Sequence, residues 1–272
     1  YVYSTDVSVR AGAGNDDITV QAGAYVDNDI VQSATSLYSG SDYHAAYAYN
    51  SNLEIYLDGQ EGIDSLDIDL TASAAANTSA YANVYNAYFS LSAENVDIDL
   101  VANAQASDSG EAYAYVYSNS IYVNSFSSPD GAVMANINLS AVASGTDDTS
   151  LTDASVYNNS LYLYGGDAVD TIAVSFVAEQ AYSNQILVEG GAGADTFSFD
   201  VSNVVSFSEN TFTFYYGSTG EFGDSIVGLD ATVFSTNDVV FNFQSAFGSA
   251  YFTTDLSTNH SSNAFFFYDT YG

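Results

Sequence analysis

The residues of this chain with the clearest capacity for chemistry lie in short turns that combine glycine with aspartate. In the segment 190–198, three glycines are followed by Asp195 and then by the alternating apolar residues Phe197 and Phe199. Glycine lets the backbone turn where a Cβ atom would clash, and it leaves carbonyl oxygens uncovered. Carbonyl oxygens beside a carboxylate are ligands that calcium prefers. We therefore expect such turns to bind calcium.

Other turns of the chain share this pattern with one glycine replaced. They are residues 11–19, 59–67 and 165–173, and a shortened copy lies at residues 223–226. These segments are similar to the nonapeptide of RTX (hemolysin-type calcium-binding) repeats, G-G-x-G-x-D-x-U-x with U apolar. The resemblance implies an extracellular protein in which calcium binds in the turns of a parallel β-roll. Unlike RTX repeats, these copies are not in tandem, because their central aspartates are 48, 106 and 25 residues apart.

The candidate calcium ligands are the carboxylates, one asparagine and the glycine backbone of these turns. They are Gly12, Gly14, Asn15, Asp16, Asp17, Glu61, Gly62, Asp64, Asp167, Asp170, Gly191, Gly193, Asp195 and Asp224.

Net charge is the extreme feature of the composition. The 272 residues include 34 acids, of which 26 are Asp and eight are Glu, against Arg10 as the one Lys or Arg, so the net charge is −33. A chain with this charge repels itself, and bound divalent cations would offset the repulsion. The alternative is that acidity only keeps a secreted protein from a salty habitat hydrated. Nucleic acids and anionic membranes are excluded as partners, because the chain has almost nothing that can contact phosphate.

The sequence also predicts where the protein works. It contains no cysteine, so disulfides contribute nothing, and it has no run of about 18 apolar residues that could form a transmembrane helix. It begins at Tyr1 without a basic n-region, which fits either a mature secreted form or the limit of a longer chain. We expect an extracellular or cell-surface location.

Period-two alternation of apolar residues predicts an all-β fold. A longer repeat accompanies these strands, in which a Tyr stands four residues before the first apolar strand residue and an Asn or Ser lies between them. The repeat occurs at Tyr49, Tyr85, Tyr117, Tyr157 and Tyr182. Self-similarity of this kind predicts a parallel β-solenoid, β-helix-like or β-roll-like, in which each coil buries its apolar face on its neighbours. A β-sandwich is the alternative.

The repeated polar residues have structural interpretations. Asn side chains can stack along a solenoid and hydrogen-bond from coil to coil, and Asn tolerates the left-handed turn conformation. The repeated Tyr is expected to be a wall or interface residue with a buried ring and a wet hydroxyl. Segments 71–81 and 102–112 are rich in Ala, Ser and Asn and are predicted to be loops without core residues. Two Asp-Ile-Asp segments, at 67–69 and 97–99, place paired carboxylates on the outward face of a strand, where they repel one another or bind cations.

We predict two parts. Residues 1–205 form the repetitive β-solenoid with calcium-binding turns, and residues 206–272, dense in Phe, form a C-terminal β cap or assembly module. Residues 1–10 alternate like an edge strand, which we expect to complete its own sheet rather than to be donated to a neighbour.

Catalytic signals are weak. His44 and His260 lie in predicted loops and carry no motif, and no Gly-x-Ser-x-Gly elbow, zincin motif or P-loop is present. We expect no enzyme, although paired carboxylates on a β-helix could cleave polysaccharides. The favoured function is an extracellular structural calcium-binding protein that self-assembles as a homo-oligomer into a filament, surface layer or matrix fibre. The alternative is an adhesin or carbohydrate-binding module that meets an extracellular polysaccharide through exposed Tyr.

Overall fold

The structure is a computed structural model of the chain. It describes residues 2–3, 6–10, 17–27, 45–58, 65–76, 79–106, 110–124, 132–145, 151–217, 223–243, 251–253 and 264–266. These residues form an all-β fold in which every strand pairing is parallel. The predicted parallel β-solenoid is confirmed, because residues far apart in sequence stack in register as successive coils.

The larger sheet divides into two leaves that join at one shared strand. Leaf 1 comprises β3 (Asp17–Asp27), β6 (Ser65–Ala76), β9 (Asn95–Ala106) and β12 (Met134–Gly145). Leaf 2 comprises β1 (Val2–Tyr3), β4 (Ala45–Ser51), β7 (Ser79–Tyr85), β10 (Glu111–Tyr117) and β13 (Leu151–Tyr157). The shared strand is β15 (Thr171–Tyr182), which pairs with β12 through its first half and with β13 through its second half. It is followed by β17 (Thr196–Ser208) and β19 (Ser225–Val227).

The second sheet has one short strand from each coil. In spatial order it comprises β2 (Asp6–Arg10), β5 (Glu54–Asp58), β8 (Tyr88–Ser92), β11 (Ser120–Asn124), β14 (Ser160–Tyr164), β16 (Gln185–Glu189), β18 (Thr211–Tyr216) and β20 (Asp238–Phe243). The remaining elements are one helical turn, α1 (Ala231–Thr236), and a separate pair, β21 (Tyr251–Thr253) with β22 (Ala264–Phe266). Because β2 pairs in register with β5, the prediction that residues 1–10 complete their own sheet is confirmed for this strand.

The strands form because alternate residues are apolar and point into the solenoid. In β6 and β9, every second side chain is buried from end to end. The core between leaf 1 and the second sheet is mostly Leu, Ile and Val in the early coils and becomes richer in Phe in the later ones. There Phe199 and Phe212 meet edge-to-face at 5.1 Å between ring centroids.

The prediction that segments 71–81 and 102–112 are loops without core residues is wrong. Most of these residues belong to β6, β7, β9 and β10, whose leaves contact each other. The side chains buried between them form what we call the alanine layer. It comprises Ala72, Ala74, Ala76, Ala80, Ala82, Ala102, Ala104, Ala106, Ala112 and Ala114. Small side chains allow two β leaves to approach closely, so here alanine is the core residue.

The predicted boundary at residue 206 lies within β17. Strands β18 and β20 extend the second sheet by parallel pairing in register, so residues up to 243 continue the coils. Helix α1 begins after Asp230, whose carboxylate accepts a hydrogen bond from the backbone N–H of Val233 at 3.0 Å and so caps the helix. The role of cap or assembly module for residues 206–272 stays a prediction.

None of the helices found in the described part of the chain has the length and apolar character needed to cross a bilayer.

Candidate functional site

The glycine–aspartate turns lie one above another along the solenoid. Asp170, Asp195 and Asp224 each occupy the position directly before a leaf-1 type strand, and those strands pair in register. The 25-residue separation of the first two is therefore one coil. In the described residues the column continues with Val133 and Glu94, which stand directly before β12 and β9.

The carboxylates of this column point into the turns and bind backbone amides. Asp170 accepts hydrogen bonds from the N–H of Val133 and of Gly166, at 2.6 and 2.7 Å. Its own N–H donates to Asp195 Oδ1 at 2.8 Å, and the N–H of Asp195 donates to Asp224 Oδ1 at 3.0 Å. Each carboxylate thus satisfies amides of its own turn or of the preceding coil. We call this arrangement the aspartate ladder.

Burial dominates the electrostatics of the aspartate ladder. Asp170 and Asp195 are 0% and 1% exposed. Burial raises the pKa of the Asp170 carboxyl, the amide hydrogen bonds oppose this shift, and the neighbouring Asp195 carboxylate adds to it. A carboxylate held by backbone N–H groups supports the turn without a cation, and both oxygens of Asp170 and Oδ1 of Asp195 accept backbone amides in this way.

The glycines of these turns are required by close stacking. Gly191 has φ +83°, and a Cβ atom there would collide with the carbonyl oxygen of Gly166 in the coil below. Gly193 has φ +149°, and its Cβ atom would collide with the carbonyl oxygen of Ala168. Only glycine combines these angles with so close an approach of two turns.

The other predicted ligands fall into two groups. The Asp167 side chain is exposed at the outside of its turn. Gly12, Gly14, Asn15, Asp16, Glu61, Gly62 and Asp64 lie outside the described residues, and of Asp17 only its place in β3 is described. Over the described ranges, no three His, Cys, Asp or Glu side chains come together in a way that could hold a metal ion. The turns at 165–170 and 190–195 therefore do not offer calcium a ready set of carboxylates.

A second set of carboxylates lies on the outer face of leaf 1. Asp67 is in register with Asp97, and Asp69 with Asp99, so the two Asp-Ile-Asp segments form a square that we call the acidic face. Burial raises the pKa of Asp97, and the charges of Asp99 and Asp67 raise it further. The pairing of these aspartates, which the sequence interpretation left open, is thereby established.

Neutral polar groups surround the acidic face. Asp69 accepts a hydrogen bond from the Thr71 hydroxyl at 2.8 Å, and Asp99 accepts one from Asn138 Nδ2 at 3.0 Å. In both contacts, the partner of the negatively charged carboxylate is a neutral donor and not a cation. Divalent cations from the medium would neutralise this charge more effectively.

The predicted asparagine stack is confirmed at the corner that leads into the second sheet. Asn159 Oδ1 accepts hydrogen bonds from both the N–H and the Nδ2 of Asn119, at 3.1 and 2.9 Å. Asn159 Nδ2 donates to Asn184 Oδ1 at 2.9 Å and to the carbonyl of Val116 at 3.1 Å. The same pattern passes through every coil of this asparagine ladder, which comprises Asn119, Asn159, Asn184, Asn210 and Asn237.

A left-handed residue precedes the corner in each coil. Its φ lies between 52° and 59°, and Asn or Ser fills it in five of the six cases described. These residues are Asn52, Asn86, Ser118, Asn158, Ser183 and Glu209. Asn adopts this conformation at lower cost than most residues, as the sequence interpretation expected.

Tyrosines cover the outer face of leaf 2. Each ring centroid lies within 6.3 Å of another, so the rings form one connected set, the tyrosine network. Its members are Tyr47, Tyr49, Tyr81, Tyr85, Tyr113, Tyr115, Tyr117, Tyr157 and Tyr182. In the row from Tyr85 to Tyr182, the centroids are 4.9 to 5.1 Å apart and the ring planes differ by 1° to 3°. The rings thus turn their faces to one another, and burial raises the pKa of Tyr117 to about 12.

Carboxylates lie beside the tyrosine network: Glu111 next to Tyr81 and Tyr113, and Asp153 next to Tyr115. The Tyr115 hydroxyl donates to Asp153 Oδ2 at 3.1 Å, and the Ser155 hydroxyl donates to Asp153 Oδ1 at 2.7 Å. Burial and then the Asp153 charge raise the pKa of Tyr115. The sequence interpretation missed Tyr115 and Asp153. The alternation Tyr-Ala-Tyr-Val-Tyr at 113–117 is the signal that could have identified an aromatic face, whereas nothing in the sequence pairs Asp153 with it.

Concave features are shallow. One indentation of about 90 Å³ lies on the outer face of the second sheet, lined by Leu161, Tyr162, Gln185, Ile186, Leu187, Thr211 and Thr213. It contains no acid, base or nucleophile of catalytic type other than hydroxyls. Both histidines lie outside the described residues, so the expectation that the chain is not an enzyme stays a prediction.

Comparison of the chain with models of protein families, with curated proteins and with solved structures found no match.

Proposed function

We propose that the protein is an extracellular structural protein that self-assembles into a filament, surface layer or matrix fibre and takes up calcium on its acidic surface. The observation that supports this most directly is the acidic face, in which Asp67, Asp69, Asp97 and Asp99 stand in register on adjacent strands. Adjacent strands are about 4.8 Å apart, and successive outward positions on one strand about 6.6 Å. Because the fold holds these like charges close together, bound counter-cations would lower the repulsion between them in the folded protein.

Coulomb's law gives the size of this repulsion. Two unit charges about 5 Å apart in bulk water repel by about 0.8 kcal/mol, and the value grows where the local dielectric constant is lower. The acidic face has two such edges between strands and two longer ones of about 6.6 Å along them, and the whole chain carries a charge of −33. Calcium is the expected cation because it prefers carboxylate and carbonyl oxygens. On the acidic face it would act as a counter-ion, because no three of the described acids form a group that could enclose a metal ion. The predicted calcium turns at 11–19 and 59–67 remain part of this proposal; their residues 11–16 and 59–64 lie outside the described part of the chain.

Assembly is supported by the ends of the second sheet. Among the described strands, β2 and β20 each have one neighbour in that sheet, so each offers one edge for further pairing. Exposed strand edges pair with other chains unless they are covered. Copies of this chain stacked end to end would continue the parallel pairing that already joins one coil to the next.

The test is a calcium titration of the calcium-depleted protein, followed by thermal unfolding and by electron microscopy at millimolar calcium. Binding to the folded state alone adds about 2.7 kcal/mol per site at a hundredfold excess over Kd. We expect the unfolding temperature to rise with calcium, and filaments or sheets to appear. Sodium chloride at the same ionic strength serves as the control for screening.

Two variants test whether the acidic face causes the calcium-dependent shift in unfolding temperature. Asp97→Asn with Asp99→Asn should reduce the calcium-dependent shift and should stabilise the calcium-free protein, because two repelling charges are lost. Asp167→Asn removes one exposed charge away from the acidic face and should leave the shift unchanged. An unfolding transition that calcium does not alter, together with dispersed monomers in the micrographs, would refute the proposal.

A second candidate is a carbohydrate-binding adhesin, favoured by the aromatic rows on the surface. Tyr47 and Tyr56 are 41% and 42% exposed and could contact sugar rings. Against this candidate, the stacked rings of the tyrosine network turn their faces to one another. Glycan-array binding by a monodisperse monomer, lost in Tyr56→Ala but kept in Asp167→Asn, would favour the adhesin over the structural protein.

A further inference from the structure

The tyrosine network is continuous, and it joins two parallel rows. Tyr47, Tyr81 and Tyr113 form one row with centroids 4.8 and 5.1 Å apart. Tyr115 links this row to the row that contains Tyr157, with centroid distances of 6.3 Å to Tyr113 and 6.2 Å to Tyr157. An electron hole formed on one ring can therefore migrate to every other ring of the network through short steps between neighbouring π systems.

Oxidation of tyrosine by one electron needs a nearby base. Loss of an electron makes the phenol a strong acid, so the proton must leave with the electron if a stable neutral radical is to form. The hydroxyl of Tyr115 already donates a hydrogen bond to Asp153 Oδ2, at 3.1 Å. The Ser155 hydroxyl holds the other carboxylate oxygen at 2.7 Å, which fixes the carboxylate in place to receive the proton.

The surroundings favour a neutral phenol in the resting protein. Burial is the main cause of the raised pKa of Tyr115, Tyr157 and Tyr182, and the charge of Asp153 adds to it. Burial also raises the pKa of Tyr113, and there the charge of Glu111 adds more than that of Asp153. The phenol protons therefore stay in place until an electron is removed. This is the resting state that a coupled transfer of electron and proton requires.

We propose that the tyrosine network is a site of one-electron oxidation, with Asp153 as the proton acceptor of Tyr115, and that it cross-links copies of the chain under a peroxidase-type oxidant with hydrogen peroxide. In each of two copies, one tyrosine gives up one electron and its phenolic proton and becomes a neutral phenoxyl radical. The two electrons and two protons reduce one hydrogen peroxide to two waters. The two radicals join through a carbon–carbon bond between ortho positions, and the ortho hydrogens return to the phenol oxygens to give dityrosine.

The exposed end of the network is where copies can meet. Tyr47 is 41% exposed, whereas Tyr115 is partly buried. The electron hole can migrate from Tyr115 to Tyr47 by way of Tyr113 and Tyr81, through centroid distances of 6.3, 5.1 and 4.8 Å. The proposal does not depend on calcium or on prior assembly, so it can fail independently of the proposed function.

The experiment treats the calcium-free monomer with peroxidase and hydrogen peroxide. Freeze-quench electron paramagnetic resonance measures the tyrosyl radical, and peptide mapping locates the dityrosine. For the wild type, we expect the radical and the cross-links to be concentrated in the tyrosine network. Asp153→Asn keeps the shape of the side chain but cannot take up the proton. It should lower the radical yield roughly tenfold, the factor that one charge-assisted hydrogen bond supplies.

Two further variants keep the test decisive. Tyr115→Phe retains the ring but not the hydroxyl, and it should lower the yield as Asp153→Asn does. Tyr122→Phe removes a hydroxyl from the second sheet, outside the network, and should leave the yield unchanged. Radicals spread over all tyrosines in proportion to their exposure, or yields in Asp153→Asn and Tyr115→Phe equal to wild type, would overturn the proposal. If Asp153→Asn does not fold, as judged by circular dichroism, Tyr115→Phe decides alone.

Discussion

The substitution Asn159→Ala tests how much the asparagine ladder contributes to stability. Asn159 is 0% exposed, and its side chain takes part in four hydrogen bonds. They join it to the N–H and Nδ2 of Asn119, to the carbonyl of Val116 and to Oδ1 of Asn184. Alanine removes these four bonds. Asn119 Nδ2 keeps its bond to the carbonyl of Val84, and Asn184 Oδ1 keeps its bond from the backbone N–H of Asn159. The N–H of Asn119 and the carbonyl of Val116 are the two groups that lose a partner.

The expected loss follows from this count. A buried polar group left without its partner costs about 1–3 kcal/mol, so two such groups give a loss of roughly 2–6 kcal/mol. Loss on this scale is a large fraction of the net stability of a typical domain. We expect Asn159→Ala to unfold at much lower denaturant concentration than wild type, or to leave the neighbouring coils open.

The assay is denaturant unfolding followed by circular dichroism, with hydrogen exchange of the amides in β11, β14 and β16. Exchange is included because coils of a solenoid can open separately. The control is Asn158→Ala in the same turn, where φ is 55° and the side chain is exposed. Loss of the left-handed preference there costs about 1–2 kcal/mol at most. If Asn159→Ala costs no more than Asn158→Ala, the ladder does not stabilise the fold as argued.

Three other predictions concern charge, packing and backbone. The raised pKa of Asp97 and Asp170 means that the folded state binds protons above the ordinary value of 3.8, so stability falls as pH rises through the folded pKa. The unfolding temperature in calcium-free buffer should therefore rise as pH is lowered from 7 towards 4, and a fall would contradict this. Ala104→Leu overfills the alanine layer and should cost about 1–3 kcal/mol, whereas Gln105→Leu on the exposed face of the same strand should cost little; equal losses would argue against close packing of the leaves. Gly191→Ala should destabilise by at least about 1–2 kcal/mol because φ is +83° and the turn below leaves no room for a methyl group; wild-type stability in equilibrium unfolding would show that these turns can separate.

Much of the fold could be predicted because the strand period is directly visible. Leu66, Ile68 and Leu70 alternate with polar residues, and all three are buried. The Asn that recurs before the second-sheet strands also predicted the stacking that joins Asn119 to Asn237. These signals survive in the sequence because each reflects a local rule, either alternation of side chains or preference for a left-handed turn.

The division of the large sheet into two leaves could not be predicted. Ala72 and Ala102 have low intrinsic preference for strands and little apolar surface, so their segments look like loops. They are buried only because two leaves approach each other across them, which is a property of the assembled coils. Tertiary contact here overrides a weak local preference.

The role of the aspartates was also hidden. Asp170 and Asp195 fit a calcium-binding nonapeptide by residue type and spacing. In the structure, both oxygens of Asp170 accept amides, from Val133 and Gly166, and Oδ1 of Asp195 accepts the amide of Asp170. One-dimensional spacing does not reveal whether a carboxylate turns towards its own backbone or towards solvent. The acidic face, in contrast, follows from strand alternation once the register of β6 and β9 is known.

The hydrogen bonds between the side chains of the asparagine ladder all point the same way along the solenoid. From Asn119 to Asn210, each Nδ2 donates to the Oδ1 of the Asn in the next coil. At Asn237 the run ends on helix α1, since the N–H and Nδ2 of Asn237 both donate to the carbonyl of Val233. A filament of such molecules joined head to tail would be polar. Its two ends would differ chemically and should elongate at different rates.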